Sequence, residues 1–434
     1  MFKELESRRS FIKTLSKYIV SLVTFLPFTK SLLSKPLTLQ PRERIANPFV
    51  TPDGRPILVC VKGTNFKQML IAGLSAIGGL DKLIGNHQDV LIKPNCVYTE
   101  EYPTTSDIDS VVATIESVRM VTSGAINVGD AGAINNQDIY RFLQLYQAIT
   151  QAGGTLITFS DVYDVRRDTW EPDIPDFKVY TDIYDAPLIV NLCSLKRHYK
   201  AFLTCAIKHH VGTISGPYRT DTRYYIHTFP DRSIEFLHIL AELAGLINPE
   251  LSIVDARSIM AINGPLLSYG GEIREVNKIV ICGDMVATDA YCAQLMEEND
   301  ETFNAHRIQP TLQRAEELGL GIADLRRVKI IEFDITPYDD SIISSGQNGI
   351  GLHQNLPNPF NPTTRIIFTL PENSHVTLKV YDILGREVAT LVDGICDAGE
   401  HSTTFNGMGL SSGTYLYKLI TPRFTQTKAM VLVK

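Results

Sequence analysis

Ile189-Val190-Asn191-Leu192 is an apolar run holding a single amide, and Lys196 and His198 follow it closely. A run this short, without polar alternation, reads as a strand buried on both faces. Working outward, runs of the same kind fall at 57–61, 89–93, 125–128, 155–159, 188–193, 251–254, 278–282 and 328–333. Stretches with helical periodicity lie between them at 66–83, 107–121, 137–151, 233–245 and 286–297. Buried strands alternating with helices predict an α/β domain over residues 50–335, with a mostly parallel sheet covered by helices. In such sheets ligands sit beyond the carboxyl ends of the strands.

That rule selects the candidate site. Lys93-Pro94-Asn95 follows Val90-Leu91-Ile92, and Gly129-Asp130-Ala131-Gly132 follows Ile126-Asn127-Val128. Asn191, Lys196 and His198 lie at or after the opening run. Asp255 closes Ser252-Ile253-Val254, and Asp284 and Asp289 follow Val280-Ile281-Cys282-Gly283. Taken singly, each has a structural explanation: Asp284 as a helix N-cap, Pro94 as a residue that forces extended backbone. Five strand ends presenting polar groups at one edge predict a shared cavity. Lysine is a compact charge suited to carboxylate or phosphate, and a histidine beside lysines loses proton affinity, as a base working near neutral pH requires. Lys196 and His198 are candidate catalytic residues, joined by His227 and Lys208 on the family resemblance given next. Lys93, Asn95, Asn191, Asp255, Asp284 and Asp289 are the candidate substrate-binding residues. An enzyme acting on a small anion is the first reading. A divalent metal or cofactor held by His198, His209, His210, His227 and Cys205, at irregular spacing, is the second. A non-catalytic surface protein whose lysines are structural ion-pair partners is the third.

In order along the chain, Leu91-Ile92-Lys93-Pro94-Asn95, the segment Ile189 to His198, Ala206-Ile207-Lys208 with Gly212, His227, Ile253-Val254-Asp255 with Gly264-Pro265, Gly283-Asp284 and Ala287-Thr288-Asp289-Ala290 resemble the domain of unknown function 362 family. Two departures stand out. His209 occupies a position where the family commonly has Asn, and the ferredoxin-type cysteine insert of many members is missing, so an iron–sulfur role is not carried over. The family's name supplies no biochemistry.

The ends of the chain differ in texture. Residues 355–434 hold short alternating segments at 364–370, 376–381, 387–392, 402–405, 414–420 and 428–433, with turns at Gly385, Gly394, Gly399, Gly407 and Gly413. They predict an all-β, Ig-like antiparallel sandwich. Pro357 to Thr364, Val380 to Val388, Ala398-Gly399-Glu400-His401 and Ser412-Gly413-Thr414-Tyr415 resemble the type A sorting domain of type IX secretion. That resemblance implies passage through the outer membrane to the surface or medium, with the secretion machinery as partner. Residues 336–354 read as a linker. In residues 1–35, Ser7-Arg8-Arg9-Ser10-Phe11-Ile12-Lys13 precedes an apolar stretch too short to span a bilayer, and it resembles a twin-arginine signal whose translocase would engage Arg8 and Arg9.

Composition closes off other classes. Residues 1–35 carry seven Lys/Arg against two Glu, which leaves the rest of the chain near −12. Such a body lacks the basic face that nucleic-acid binding requires. The seven scattered cysteines form no C-x-x-C pair and suit no disulfide framework. No G-x-S-x-G, H-E-x-x-H or Walker-type loop is present in residues 50–335. The sequence also predicts a helix over 201–211 with one of His209 and His210 solvated, and a surface loop around Trp170.

Overall fold

The computed structural model describes residues 38–96, 101–131, 145–170, 174–214, 222–335, 350–353, 355, 360–382 and 386–432. The twin-arginine stretch lies outside them. The chain divides into two compact units, one ending at Ile335 and the other beginning at Thr336.

The described elements of the first unit run β1 (Ile57–Lys62), α1 (Phe66–Ile77), β2 (Val90–Lys93), α2 (Ile108–Arg119), β3 (Ile126–Val128), α3 (Leu145–Gln151), β4 (Thr155–Leu156), β5 (Val162–Val165), β6 (Phe177–Tyr180) and α4 (Thr181–Tyr184). They continue with β7 (Ile189–His198), β8 (Phe202–Thr204), a 3-10 segment (Lys208–Thr213), α5 (Thr222–His227), α6 (Ile234–Ile247), β9 (Leu251–Ala261), β10 (Glu272–Cys282), α7 (Met285–Asn299), α8 (Gln309–Glu317) and β11 (Lys329–Asp334). The main sheet has the order β11-β1-β10-β9-β7-β2-β3-β4, with β8 added to β7. Pairs β1–β11, β9–β7, β7–β2, β2–β3 and β3–β4 are parallel.

The pleat explains the two-sided core. Val59, Val61, Ile92, Val190, Leu192, Ile253, Ile279 and Ile281 point to one face, against Phe66, Met69 and Leu70 of α1 and Val111 and Ile115 of α2. Their alternates Leu58, Cys60, Leu91, Ile189, Cys193, Val254 and Val280 pack on the other, against α6, α7 and α8. All ten residues of β7 are buried, as a central strand requires. The fold is therefore the α/β sheet that the sequence predicts.

Four expectations are corrected. β10 runs antiparallel to both β9 and β1, so the residues after Cys282 do not join the carboxyl ends of β7 and β2. The segment 201–211 is not a helix: β8 pairs back on β7, and the 3-10 segment follows. Neither histidine of that segment is solvated, since His209 and His210 are both buried. Trp170 is no surface residue. Its Nε1–H donates to Glu242 at 2.8 Å and its ring lies 4.7 Å from that of Phe177.

The second unit pairs two antiparallel sheets, as the sequence predicts. One holds β12 (Gly351–Leu352), β13 (Thr363–Leu370) and β16 (Gly399–Asn406); the other holds β15 (Glu387–Cys396), β14 (Ser374–Asp382), β17 (Gly413–Thr421) and β18 (Phe424–Leu432). Ile366 and Phe368 of the first meet Val376, Leu378, Val380, Tyr417 and Leu419 of the second in one apolar core, which makes a sandwich. Gly351 and Leu352, placed in a linker by the sequence, belong to it: they pair with β13, and Leu352 is buried.

Candidate functional site

The carboxyl ends of β2, β3 and β7 meet at one rim. Lys93, the last residue of β2, is fully buried, and its Nζ lies 2.7 Å from Asp130 Oδ1 just beyond β3. The second oxygen of Asp130 accepts the Cys96 backbone N–H at 2.8 Å. The 3-10 segment lies directly over this pair. A Cβ added to Gly212 would stand 2.3 Å from Asp130 Oδ1 and 2.8 Å from Lys93 Nζ, so only glycine lets the backbone approach.

Lys196, near the end of β7, is also fully buried but has no carboxylate partner among the described residues. Its Nζ donates to Asn95 Oδ1 at 3.0 Å and to the Thr104 carbonyl. Burial, with Lys208 next in effect, pushes its pKa down to about 7. Lys208 opens the 3-10 segment half-buried and has no hydrogen-bond or ion-pair partner among the described residues. Desolvation and the neighbouring Arg223 and Lys93 push it down to about 7 as well.

His198 ends β7 at the turn into β8. Its Nδ1 accepts the backbone N–H groups of Lys200 at 3.1 Å and Ala201 at 3.2 Å, which leaves the proton on Nε2. Burial, then Lys208 and Lys196, hold its pKa well below the ordinary histidine value. The base role expected for His198 is thereby corrected: this ring is neutral and donates. His227 is largely exposed; its Nδ1–H donates to the Arg223 carbonyl at 2.6 Å, which leaves Nε2 as the acceptor. Desolvation lowers its pKa too.

The remaining candidates separate. Asn191 lies beside Lys93 in the β2–β7 register; its Nδ2 donates to the Ala206 carbonyl at 3.2 Å, and its Oδ1 is buried without a partner. Asp289, on α7, accepts the Ile207 N–H with both oxygens at 3.3 Å and ties down the loop before Lys208; burial pushes its pKa up to about 7. Asp255 is committed to Arg257, at 3.0 Å and 2.8 Å, and to the Tyr102 hydroxyl at 2.9 Å. Tyr102 and Arg257 were not singled out in the sequence. They fasten the loop that offers the Thr104 carbonyl to Lys196, and Arg257 two residues beyond a strand-end aspartate was the available signal. Asp284 is at the opposite rim. It caps α7 by accepting the Val286 and Ala287 N–H groups, each at 2.9 Å, and also accepts the Ile322 N–H at 3.0 Å.

The metal-ligand set does not assemble. His209 Nε2–H donates to the Pro94 carbonyl at 2.8 Å while Nδ1 lies 3.0 Å from Cys193 Sγ, so both ring nitrogens are engaged. Among the described residues no three His, Cys, Asp or Glu side chains converge as a metal ion would require. Both nitrogens of His210 are buried without a partner.

Residues 90–294 match the family model described as a domain of unknown function, DUF362. Residues 356–434 match the secretion system C-terminal sorting domain. The chain therefore carries a DUF362 match over residues 90–294 and a type IX sorting domain over residues 356–434. A thylakoid-associated protein of Synechocystis sp. is 26% identical over 258 residues, covering 57% of this chain and 73% of that protein. The lactate racemase apoprotein of Thermoanaerobacterium thermosaccharolyticum superposes at a TM-score of 0.33 with 12% identity, covering 54% of this chain and 55% of the racemase. PorZ, a surface component of the type IX system of Porphyromonas gingivalis, matches 22% of this chain and 13% of its own at 15% identity and a TM-score of 0.15. Superpositions this distant carry no functional comparison. The sorting domain makes this an exported protein, handled by the type IX machinery and delivered to the cell surface or medium. No helix of the described residues is long and apolar enough to cross a membrane.

Proposed function

We propose that the DUF362 domain is an enzyme that takes a small anionic substrate, a carboxylate or phosphate, at the rim formed by Lys196, Lys208 and His198. One observation carries this reading: Lys196 is fully buried with only uncharged acceptors, and Lys208 beside it has no partner among the described residues. Burying an ammonium without a counter-charge costs several kcal/mol, a cost that an incoming anion would offset. Lys93 is already neutralised by Asp130 and serves to shape the rim. The Nε2–H of His198 would hydrogen-bond an uncharged oxygen of the substrate, and His227 Nε2 is the available proton acceptor. Calorimetric titration with inorganic phosphate and with small carboxylates tests the reading. Saturable binding in the wild type, lost in Lys196→Met, is expected; absence of binding by the wild type overturns it.

The twin-arginine signal is the proposed entry to this route. Replacing Arg8 and Arg9 together by Lys should leave the precursor in the cytoplasm, as cell fractionation would read; normal export of that variant would refute it.

A further inference from the structure

Lys208 has no hydrogen-bond or ion-pair partner among the described residues. It stands at the start of a 3-10 segment held over the Lys93–Asp130 pair by the close approach of Gly212, and it is tied to β2 by the His209–Pro94 hydrogen bond. The charges of Lys93 and Arg223 act on its amine, and it acts in turn on Lys196 and His198. Building on the anion-binding reading above, we propose that the substrate is a 2-oxo acid whose ketone carbon forms an imine with Lys208, its carboxylate lying against Lys196 and its carbonyl oxygen accepting the His198 Nε2–H. At a pKa of about 7 a large part of the amine is unprotonated at neutral pH, and that part is the nucleophile.

The step balances within the site. The Lys208 nitrogen forms a bond to the ketone carbon, and one of its hydrogens passes to the carbonyl oxygen. The second hydrogen leaves with that oxygen as water when the carbon–nitrogen double bond closes, so no oxidant or reductant is consumed. His198 suits the oxygen because its Nδ1 is committed to two backbone N–H groups and its proton is fixed on Nε2. Among the described residues, Lys93, Arg223, Lys200, Asp130, Cys96, Cys193, Asp289 and His227 are the other titratable groups near this corner. Asp289 is engaged with the Ile207 N–H, and His227 is the free acceptor at the rim.

Incubating the full-length protein with 2-oxobutyrate and sodium cyanoborohydride traps an imine as a secondary amine. One adduct, heavier by the oxo acid less one oxygen atom, is expected at Lys208 by peptide mapping. Labelling should rise through about pH 7, whereas ordinary surface lysines require a pH nearer their usual value of about 10.4. Lys208→Arg should lose the adduct. An adduct on any other lysine, with Lys208 unlabelled in the wild type, overturns the assignment. So does calorimetric binding of 2-oxobutyrate by the wild type without a trapped product, an outcome that leaves the anion site standing. Absence of any binding overturns the anion site and the imine with it.

Discussion

The two rims of the same sheet treat buried charge in opposite ways. At the amino end of β7, Arg42 and Glu250 form a buried pair at 2.9 Å. The arginine also donates to the Ala186 and Ile247 carbonyls, and the glutamate accepts the Ile189 N–H at 2.8 Å. Arg44 reaches the Gly283 carbonyl and Asn248, and Asp284 caps α7. Each of these four side chains has a partner. At the carboxyl end of β7, Lys196 has only neutral acceptors, Lys208 has none among the described residues, and Asn191 Oδ1, Ser194 Oγ and Thr204 Oγ1 are buried without partners. A saturated rim holds the fold together; an unsaturated one is poised for something to arrive.

The contrast can be broken most forcefully at the amino rim. Glu250→Gln leaves the Arg42 guanidinium buried without its carboxylate and should cost about 3–5 kcal/mol, read by urea denaturation of the full chain. A loss under about 1 kcal/mol would erase the distinction between the rims. At the carboxyl rim the same kind of change should act the other way. Lys196→Met removes a desolvated ammonium, so stability should hold or rise while anion affinity falls at least about tenfold, or about 1.4 kcal/mol. A variant that unfolds instead would make Lys196 a structural residue.

The pH dependence sharpens the same point. Lys196 and Lys208 have folded pKa values near 7, below the ordinary 10.5, so the unfolded chain binds more protons than the folded one between those limits. Their contribution to stability therefore rises with pH from about 7 to about 10.5, while anion affinity falls over the same range as the charges are lost. Calorimetry at stepped pH reads the second effect; affinity that climbs with pH would contradict it. The smallest expected effect is Asp284→Ala, about 1 kcal/mol for a lost N-cap with no change in anion affinity, since the residue sits at the saturated rim.

Much of this was legible in the chain. The apolar runs located every strand of the main sheet except β8, and the six segments after residue 363 all became strands of the sandwich. Lys93, Asn95, Lys196 and His198 were found because they lie at or just after apolar strand runs, and Lys208 through the family resemblance. Asp284 was misplaced because an apolar run carries no direction. The two apolar runs stood far enough apart for a crossover, and it is the structure that lengthens β9 and β10 until only residues 262–271 separate them. That connection is too short for the parallel crossover of about a dozen or more residues, usually a helix, and no helical pattern lay there. The helix expected over 201–211 failed for a related reason, since its apolar residues serve a strand edge and a 3-10 segment that only packing against β7 and α6 selects.

The amino-acid sequence alone determined which segments are buried, which alternate and which two domain types they build, because burial is written in the period of the apolar residues. Tertiary structure decided which charges acquire partners. That outcome depends on strand direction and on contacts between residues far apart, such as Lys93 with Asp130 and Arg42 with Glu250. The state of His198, neutral with its proton on Nε2, follows from two backbone N–H groups in a turn, a geometry that no pattern of side chains encodes.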